Sequence, residues 1–359
     1  MKFASDNRAG VSPEILDALA REAGGFGGAY GEDDATDRLD ASFSEIFERA
    51  VTVFPVATGT AANSLALASS CDPWGAVICH AEAHIAVDEC SAPEFFGGGL
   101  RLAPLPGDGG RLQLATVREV LDAAAADRND VHRTPFQALS LTNLAELGRA
   151  YRAAETAALA DVAKQHGLTV HLDGARFANA VVGTGSSPAE LTWRAGVDVM
   201  SFGATKNGAL AAEAVVFFEP GLSATFERRR KRSGHLLSKM RFVSVQLEAS
   251  LAEGRWLTTA THANDMAARL AAGLTDAPGV TVLPFDGNEL FVITDSAAVA
   301  GWREAGAEFY DAAAPPDQQG AARRLVRLVT SFATTDEHVA ALLEVINSHA
   351  SRRSTGANS

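Results

Sequence analysis

From Val51 to about residue 220, short apolar runs alternate with stretches whose apolar positions recur at helical spacing. Apolar runs without polar alternation belong to strands covered on both faces. Their alternation with helices predicts a mainly parallel sheet and an α/β architecture. Strands are expected at 51–55, 76–79, 136–141, 169–172, 197–202 and 214–218. Helices are expected at 61–70, 116–126 and 153–165, the last favoured by its alanine content.

After Pro220 the pattern changes. A basic helix at 226–232 leads to long helical stretches as far as about Leu274, then shorter strands at 280–283, 289–294 and 325–329, the pattern of a smaller C-terminal α+β domain. Residues 313–317 read as a loop because of their paired prolines, and the polar tail 351–359 is expected to be disordered. The expected division is an N-terminal arm and helix 1–30, a large domain 31–245, a small domain 246–350 and the tail. No internal repeat is found.

Composition narrows the function classes. The chain has 359 residues, 47% hydrophobic and 21% charged, with a net charge of -13. Nucleic acid and anionic membrane surfaces would be repelled over most of such a surface, which leaves a small molecule as the natural partner. The basic run 228–232 is accordingly read as a solvated helix face with one or two residues reaching a phosphate. Cys71, Cys79 and Cys90 form neither a C-x-x-C pair nor an even disulfide set, so the compartment reads as reducing. With no apolar leader after Met1 and no long apolar run, a cytoplasmic protein is expected.

Three segments carry chemistry. In 199–208 a strand runs into small residues, then Thr205, Lys206, Asn207 and Gly208. Lysine is scarce here, five against 26 arginines, and a strand's C-terminal end is where α/β sheets gather ligands. An amine that must lose its proton to attack a carbonyl cannot be an arginine. Asp173 follows another strand, 33 residues earlier in the chain, and alone would read as a helix cap. Thr58, Gly59 and Thr60 stand at a helix start, where free backbone N–H groups can hold a phosphate. Lysine, acid and phosphate cradle together are what pyridoxal 5'-phosphate (PLP) requires. The acid keeps the pyridine nitrogen protonated, and the lysine tethers the aldehyde.

The chain resembles the low-specificity L-threonine aldolases, PLP enzymes of fold type I, and in particular their bacterial, Pseudomonas-like branch, with phenylserine aldolases as close relatives. The resemblance runs through Ala4-Ser5-Asp6-Asn7, Ala29-Tyr30-Gly31-Glu32-Asp33, Gly59-Thr60-Ala61-Ala62-Asn63, Ala83-His84-Ile85, Asp88-Glu89-Cys90, His171-Leu172-Asp173-Gly174-Ala175-Arg176-Phe177, the Lys206 segment and Ser238-Lys239-Met240-Arg241-Phe242. It implies a large PLP-binding domain with a mainly parallel seven-stranded sheet, a small α+β domain, and cleavage of β-hydroxy-α-amino acids such as L-threonine to glycine and an aldehyde.

Carried over residue by residue, the resemblance implies that Lys206 carries PLP, His84 stacks on its ring and Asp173 pairs with its nitrogen. Gly59, Thr60, Thr205, Arg176 and Lys231 would complete the cofactor site, with Arg232 an alternative to Lys231. Ser5, Arg176 and Arg327 would hold the substrate carboxylate, with Arg324 as the fallback for Arg327. Tyr30 would enter the neighbouring site of a homodimer or homotetramer.

The chain departs from the family where many members have Glu-Asn-Thr-His. Here the stretch is Leu141-Thr142-Asn143-Leu144-Ala145-Glu146, and the histidine falls earlier, at His132. The base for the substrate hydroxyl is therefore His84, His132 or a water held by them. Rival readings are a PLP-dependent β-eliminating lyase or racemase, a PLP-binding regulator, and a zinc hydrolase built on His80 and His84. The last lacks both the H-E-x-x-H pattern and a third ligand, so no metal is expected.

Overall fold

The computed structural model describes residues 1–127, 130–312 and 323–356, with side chains as far as residue 348. Its large sheet contains β1 (Thr52–Val56), β2 (Ala76–His80), β3 (Arg101–Leu105), β6 (Phe136–Thr142), β7 (Thr169–Gly174), β8 (Val199–Gly203) and β9 (Glu213–Phe217). A short hairpin, β4 (Gly107–Asp108) with β5 (Arg111–Leu112), stands apart. The order across the sheet is β1-β9-β8-β7-β6-β2-β3. Strands β8, β7, β6, β2 and β3 run parallel, and β9 is antiparallel to both its neighbours. The seven-stranded, mainly parallel sheet is as expected.

Every residue of β2, β8 and β9 is buried, which explains why these strands read as unbroken apolar runs. Strand β3 was not expected. It lies at the sheet edge, half exposed, with Arg101 and Pro104 in its five residues, so it has no core pattern to betray it. Beneath the sheet Phe43 meets Phe202 edge-on at 5.0 Å, and Phe177 stacks against Trp256 at 6.2 Å. Each such buried ring stabilises the fold by about 1.5–3 kcal/mol.

The helix Gly59–Ser70 is buried from Ala61 to Ala68 and capped by Thr58, whose Oγ1 accepts the Ala61 N–H at 3.2 Å. At the opposing strand ends the backbones nearly touch. A Cβ on Gly174 would meet Ser201 O at 2.6 Å, and one on Gly203 would meet Ala175 O at 2.4 Å, so only glycine fits at either position.

The small domain has an antiparallel sheet of β10 (Thr281–Val282), β11 (Glu289–Asp295), β13 (Arg323–Val329) and β12 (Tyr310–Ala312), in that order. Helices Arg255–Leu274 and Ser296–Glu304 pack on it around Trp302, Leu270 and Val326. The N-terminal arm is stitched to this sheet. Phe3 N–H donates to Glu308 O at 2.9 Å, Val329 N–H donates to Phe3 O at 2.8 Å, and the Phe3 ring enters the same core.

The expectation for the tail is corrected, because the last helix runs Asp336–Gly356 and so carries residues 351–356 in regular structure; 357–359 lie outside the described residues. The loop expected at 313–317 also lies outside them. Among the described residues no helix is long and apolar enough to cross a membrane, and no group of three or more His, Cys, Asp or Glu could hold a metal ion.

Candidate active site

Parallel strands in register deliver their ends to one rim. Thr142 pairs with Asp173, Asp173 with Ser201, and Gly203 with Glu213, so β6, β7, β8 and β9 present these residues along a single edge. Lys206 follows three residues after β8, on the one-turn helix Thr205–Asn207. The turn is held on several sides. Ala212 N–H donates to Thr205 Oγ1 at 3.2 Å, Ala204 N–H donates to Glu213 Oε2 at 3.1 Å, and Asn207 Nδ2 donates to Trp256 O at 2.7 Å.

Asp173 is 3% exposed. Its Oδ1 accepts the Ala175 N–H at 3.0 Å and its Oδ2 accepts Asn63 Nδ2–H at 2.8 Å. The same Asn63 nitrogen donates to Glu89 Oε1 at 2.9 Å, and that oxygen lies 2.8 Å from His84 Nδ1. Asp173, Asn63, Glu89 and His84 thus form one line of polar contacts, drawn from a strand end, a helix and a loop. The hydrogen bond to Glu89 raises the His84 pKa; burial opposes it, and the Asp173 charge adds to the rise.

Glu146 closes this side from below, with Oε1 accepting the His84 N–H at 2.9 Å; burial pushes its carboxyl up to about 7. Under Asp173, His171 sits fully buried between Ser140 (2.9 Å) and Ser201 (3.2 Å), and burial pushes it down to about 4, so it is neutral. Glu213 beside the lysine turn is likewise pushed up to about 7 by burial.

Lys206 is electrostatically coupled to four groups, Asp6, His84, Glu213 and Glu289, which places its amine between the polar line and the arginine cluster. In that cluster Arg176 grips Asp6 with two bonds, Nε to Oδ2 at 2.7 Å and Nη2 to Oδ1 at 2.9 Å. Arg327 Nη2 donates to Ala4 O at 3.3 Å, and its guanidinium lies over the Tyr310 ring. Ser5 Oγ donates to Asp6 Oδ1 at 3.4 Å. Arg324 is exposed, and its position three residues before Arg327 on β13 gives it the other face of the strand. Arg327, not Arg324, is the one that joins this cluster.

Gly59 and Thr60 open the helix Gly59–Ser70, and a Cβ placed on Gly59 would meet nothing within 4 Å. Thr58 takes the N–H groups of Ala61 and Ala62, through its Oγ1 and its carbonyl oxygen, so those of Gly59 and Thr60 are the ones available to an anion at this helix start. The lysine, the buried acid and this open helix start fit PLP.

One expectation fares differently. His132 is exposed, and its own N–H donates to Asp130 Oδ1 at 2.9 Å. It lines a cleft of about 860 Å³ with Arg101, Phe136 and His166, at the N-terminal ends of β2, β3 and β6. That is the rim opposite Asp173 and Lys206, so the structure corrects its assignment as a base. Lys231 and Tyr30, expected at the site of a neighbouring subunit, meet each other on the exposed surface, the ammonium 4.3 Å from the ring centroid. The buried member of the basic run is Arg230, whose Nη1 donates to Pro55 O at 3.3 Å near the end of β1.

Sequence reasoning missed Asn63, Glu89, Glu146, Glu213, Asp6 and Glu289 as site residues. Asn63, Asp6 and Glu89 lay inside matched segments. Glu146, Glu213 and Glu289 carried no local signal.

A mainly parallel seven-stranded sheet with a lysine, a buried acid and an open helix start at one rim, and a small C-terminal domain closing over it, defines the PLP-dependent enzymes of fold type I. Within that class, the chain belongs to the beta-eliminating lyase family, whose model matches residues 2–297.

The chain is 42% identical to a low specificity L-threonine aldolase of Pseudomonas sp. (strain NCIMB 10558), over 86% of this chain and 88% of that protein. It is similar in structure to a Leishmania major threonine aldolase, with a TM-score of 0.88 at 27% identity, covering 97% and 99% of the two chains. A Sphingomonas wittichii serine palmitoyltransferase, 17% identical with a TM-score of 0.70 over 98% and 87% of the chains, shares the fold.

Proposed function

We propose that this chain is a PLP-dependent aldehyde-lyase that cleaves L-threonine, L-allo-threonine and related β-hydroxy-α-amino acids, phenylserine among them, to glycine and an aldehyde. The observation that carries the reading is the convergence on one rim of the Asp173–Asn63–Glu89–His84 line, Lys206 and the arginine cluster. When bound, PLP supplies a tether for the substrate amine and an electron sink for the carbon left by bond cleavage.

The chain's own residues do the rest. Gly59 and Thr60 would hold the phosphate through their N–H groups, and Asp173, its Oδ2 fixed by Asn63, would keep the ring nitrogen protonated. Arg176 and Arg327 bind the carboxylate, which orients the bond between Cα and Cβ. His84 Nδ1 is engaged by Glu89, so Nε2 is the atom left to take the proton from the β-hydroxyl. Glu89 and Asp173 stabilise the imidazolium that results. Lys206 Nζ holds a proton for return to Cα.

The exposed segment around Phe26 and Tyr30 supports assembly into a homodimer or homotetramer, which sedimentation velocity measures directly. Three unpaired cysteines support residence in the reducing cytoplasm. The activity is tested by offering PLP-loaded enzyme a panel of β-hydroxy amino acids and scoring glycine for each stereoisomer. Ammonia with a keto acid as the product would instead make the enzyme an eliminating lyase, and D-isomers without glycine a racemase.

A further inference from the structure

The two guanidiniums assigned above to the substrate carboxylate already hold a carboxylate of the protein's own. Glu289, 1% exposed, spans them, with Oε2 3.3 Å from Arg176 Nη1 and Oε1 3.7 Å from Arg327 Nη1. The far edge of Arg176 grips Asp6, which also accepts Asn288 Nδ2–H at 3.1 Å. Two arginines thus face two acids, and an arriving carboxylate adds a third negative charge to a buried cluster, where charges are weakly screened.

The two acids are not equivalent. Asp6 receives three directed hydrogen bonds from side chains of Arg176 and Asn288. Burial opposes its ionisation, but Arg176, Lys206 and Asn288 prevail and hold its carboxyl below the ordinary range. Glu289 has only the longer ion-pair contacts, and its Oε2 accepts no hydrogen bond. Burial pushes its carboxyl up, and Arg176 and Arg327 oppose that push without cancelling it.

The charged groups facing Glu289 come from every neighbouring element: Asp6 from the arm, Arg176 after β7, Lys206 after β8 and Arg327 on β13. Asp286, earlier on the same segment, is satisfied separately by Arg149 and Arg152.

We propose that Glu289 yields its place on Arg176 and Arg327 to the substrate carboxylate and takes up a proton from solvent as it does so. Carboxylate binding and protonation of Glu289 are then one coupled event that keeps the buried charge constant. No bond to carbon changes and nothing is oxidised or reduced. The inference rests on the assignment of these arginines to the substrate. Its sign follows from linkage. The arginines favour ionised Glu289 while the site is free and withdraw that support when they turn to the ligand. Carboxylate affinity is therefore highest at low pH and falls by about tenfold per pH unit above the free-site pKa of Glu289.

The test uses the PLP-loaded enzyme and 3-hydroxybutyrate, a threonine analogue without the amine, which cannot displace Lys206. Calorimetric titration at a series of pH values, in buffers of different ionisation enthalpy, reads affinity and proton uptake; competitive inhibition reads the same pH slope where heats are small. The native enzyme is expected to take up close to one proton per ligand. Glu289→Gln is expected to take up none and to bind with little dependence on pH.

Absence of uptake in the native enzyme, or undiminished uptake in Glu289→Gln, overturns the proposal. Should Glu289→Gln not fold, the native measurement decides alone. Arg327→Leu separates the two readings. If it loses affinity for 3-hydroxybutyrate while Glu289→Gln keeps full uptake, the Glu289 inference falls and the arginine assignment stands. If Arg327→Leu binds undiminished, the arginine assignment falls and takes this inference with it.

Discussion

The two halves of the site are built in opposite ways. The half proposed to face the ring is a line of hydrogen bonds, Asp173 to Asn63 to Glu89 to His84, made between β7, the first helix behind β1 and the loop after β2. All of it belongs to the large domain. The half proposed to take the substrate carboxylate is an ion cluster in which Asp6 comes from the N-terminal arm, Arg176 from the large domain, and Glu289 and Arg327 from the small one. The first half fixes a proton-transfer group and its charge with short, directed bonds. The second depends on the small domain and the arm docking on the rim, and its longer contacts can be exchanged for a ligand. The difference teaches that electronic tuning and substrate capture are mechanically separable here, and mutations should separate them.

The largest effect is expected from Lys206→Ala, which stands between the halves. It should lower turnover by about 10⁴-fold, the upper end of the scale for a proton-transfer group, and abolish the visible absorbance of tethered cofactor while far-UV circular dichroism is unchanged. Retained turnover would remove the lysine from the mechanism. Asp173→Asn breaks the ring side alone. It should cost about 10²–10³-fold in kcat with PLP still bound, the scale of a lost preorganised electrostatic contact.

Arg327→Leu breaks the carboxylate side alone. It should cost about 10–100-fold in kcat/KM, the size of a lost charged hydrogen bond, chiefly through KM, whereas Arg324→Leu should change neither parameter. A fall in kcat with KM unmoved would mean that the halves are not separable.

Glu89→Gln sharpens the comparison. Since the bond to Glu89 is the largest cause of the raised His84 pKa, the variant should move the acidic limb of the kcat/KM profile to lower pH. An unmoved limb would shift the base away from His84.

The smallest effect is one of stability. His171 is depressed to about 4 from an unfolded value near 6.5, so the folded state must exclude a proton that the unfolded chain accepts. Stability is therefore full above pH 6.5 and falls as the pH drops towards 4. His171→Asn should lose about 2–4 °C less in Tm than the native enzyme over that window, as read by thermal melts at matched pH.

Much of the ring side was legible in the sequence because its parts are local. A strand that ends in Asp173-Gly174, a strand that runs into Thr205-Lys206 and a helix that opens with Gly59 each announce themselves within a few residues. The edge strand β3 was not legible, since Arg101 and Pro104 break any apolar pattern. His132 misled for a related reason: nearness in sequence to β6 says nothing about which end of the strand a loop occupies. It lies before the strand, so it faces the wrong rim.

By itself the sequence determined six of the seven strands of the large sheet, the family, and Lys206 and Asp173 as the candidate lysine and acid, because each is written in short-range pattern or in matched segments. Tertiary structure alone decided that Glu89 bonds to His84, that Arg327 rather than Arg324 faces the site, and that Glu289 bridges two arginines from different parts of the chain. The physical reason is that a charge acquires its role from what burial places within a few ångströms of it. For Glu289 those neighbours come from positions 6, 176, 206 and 327, separations over which no sequence pattern carries information.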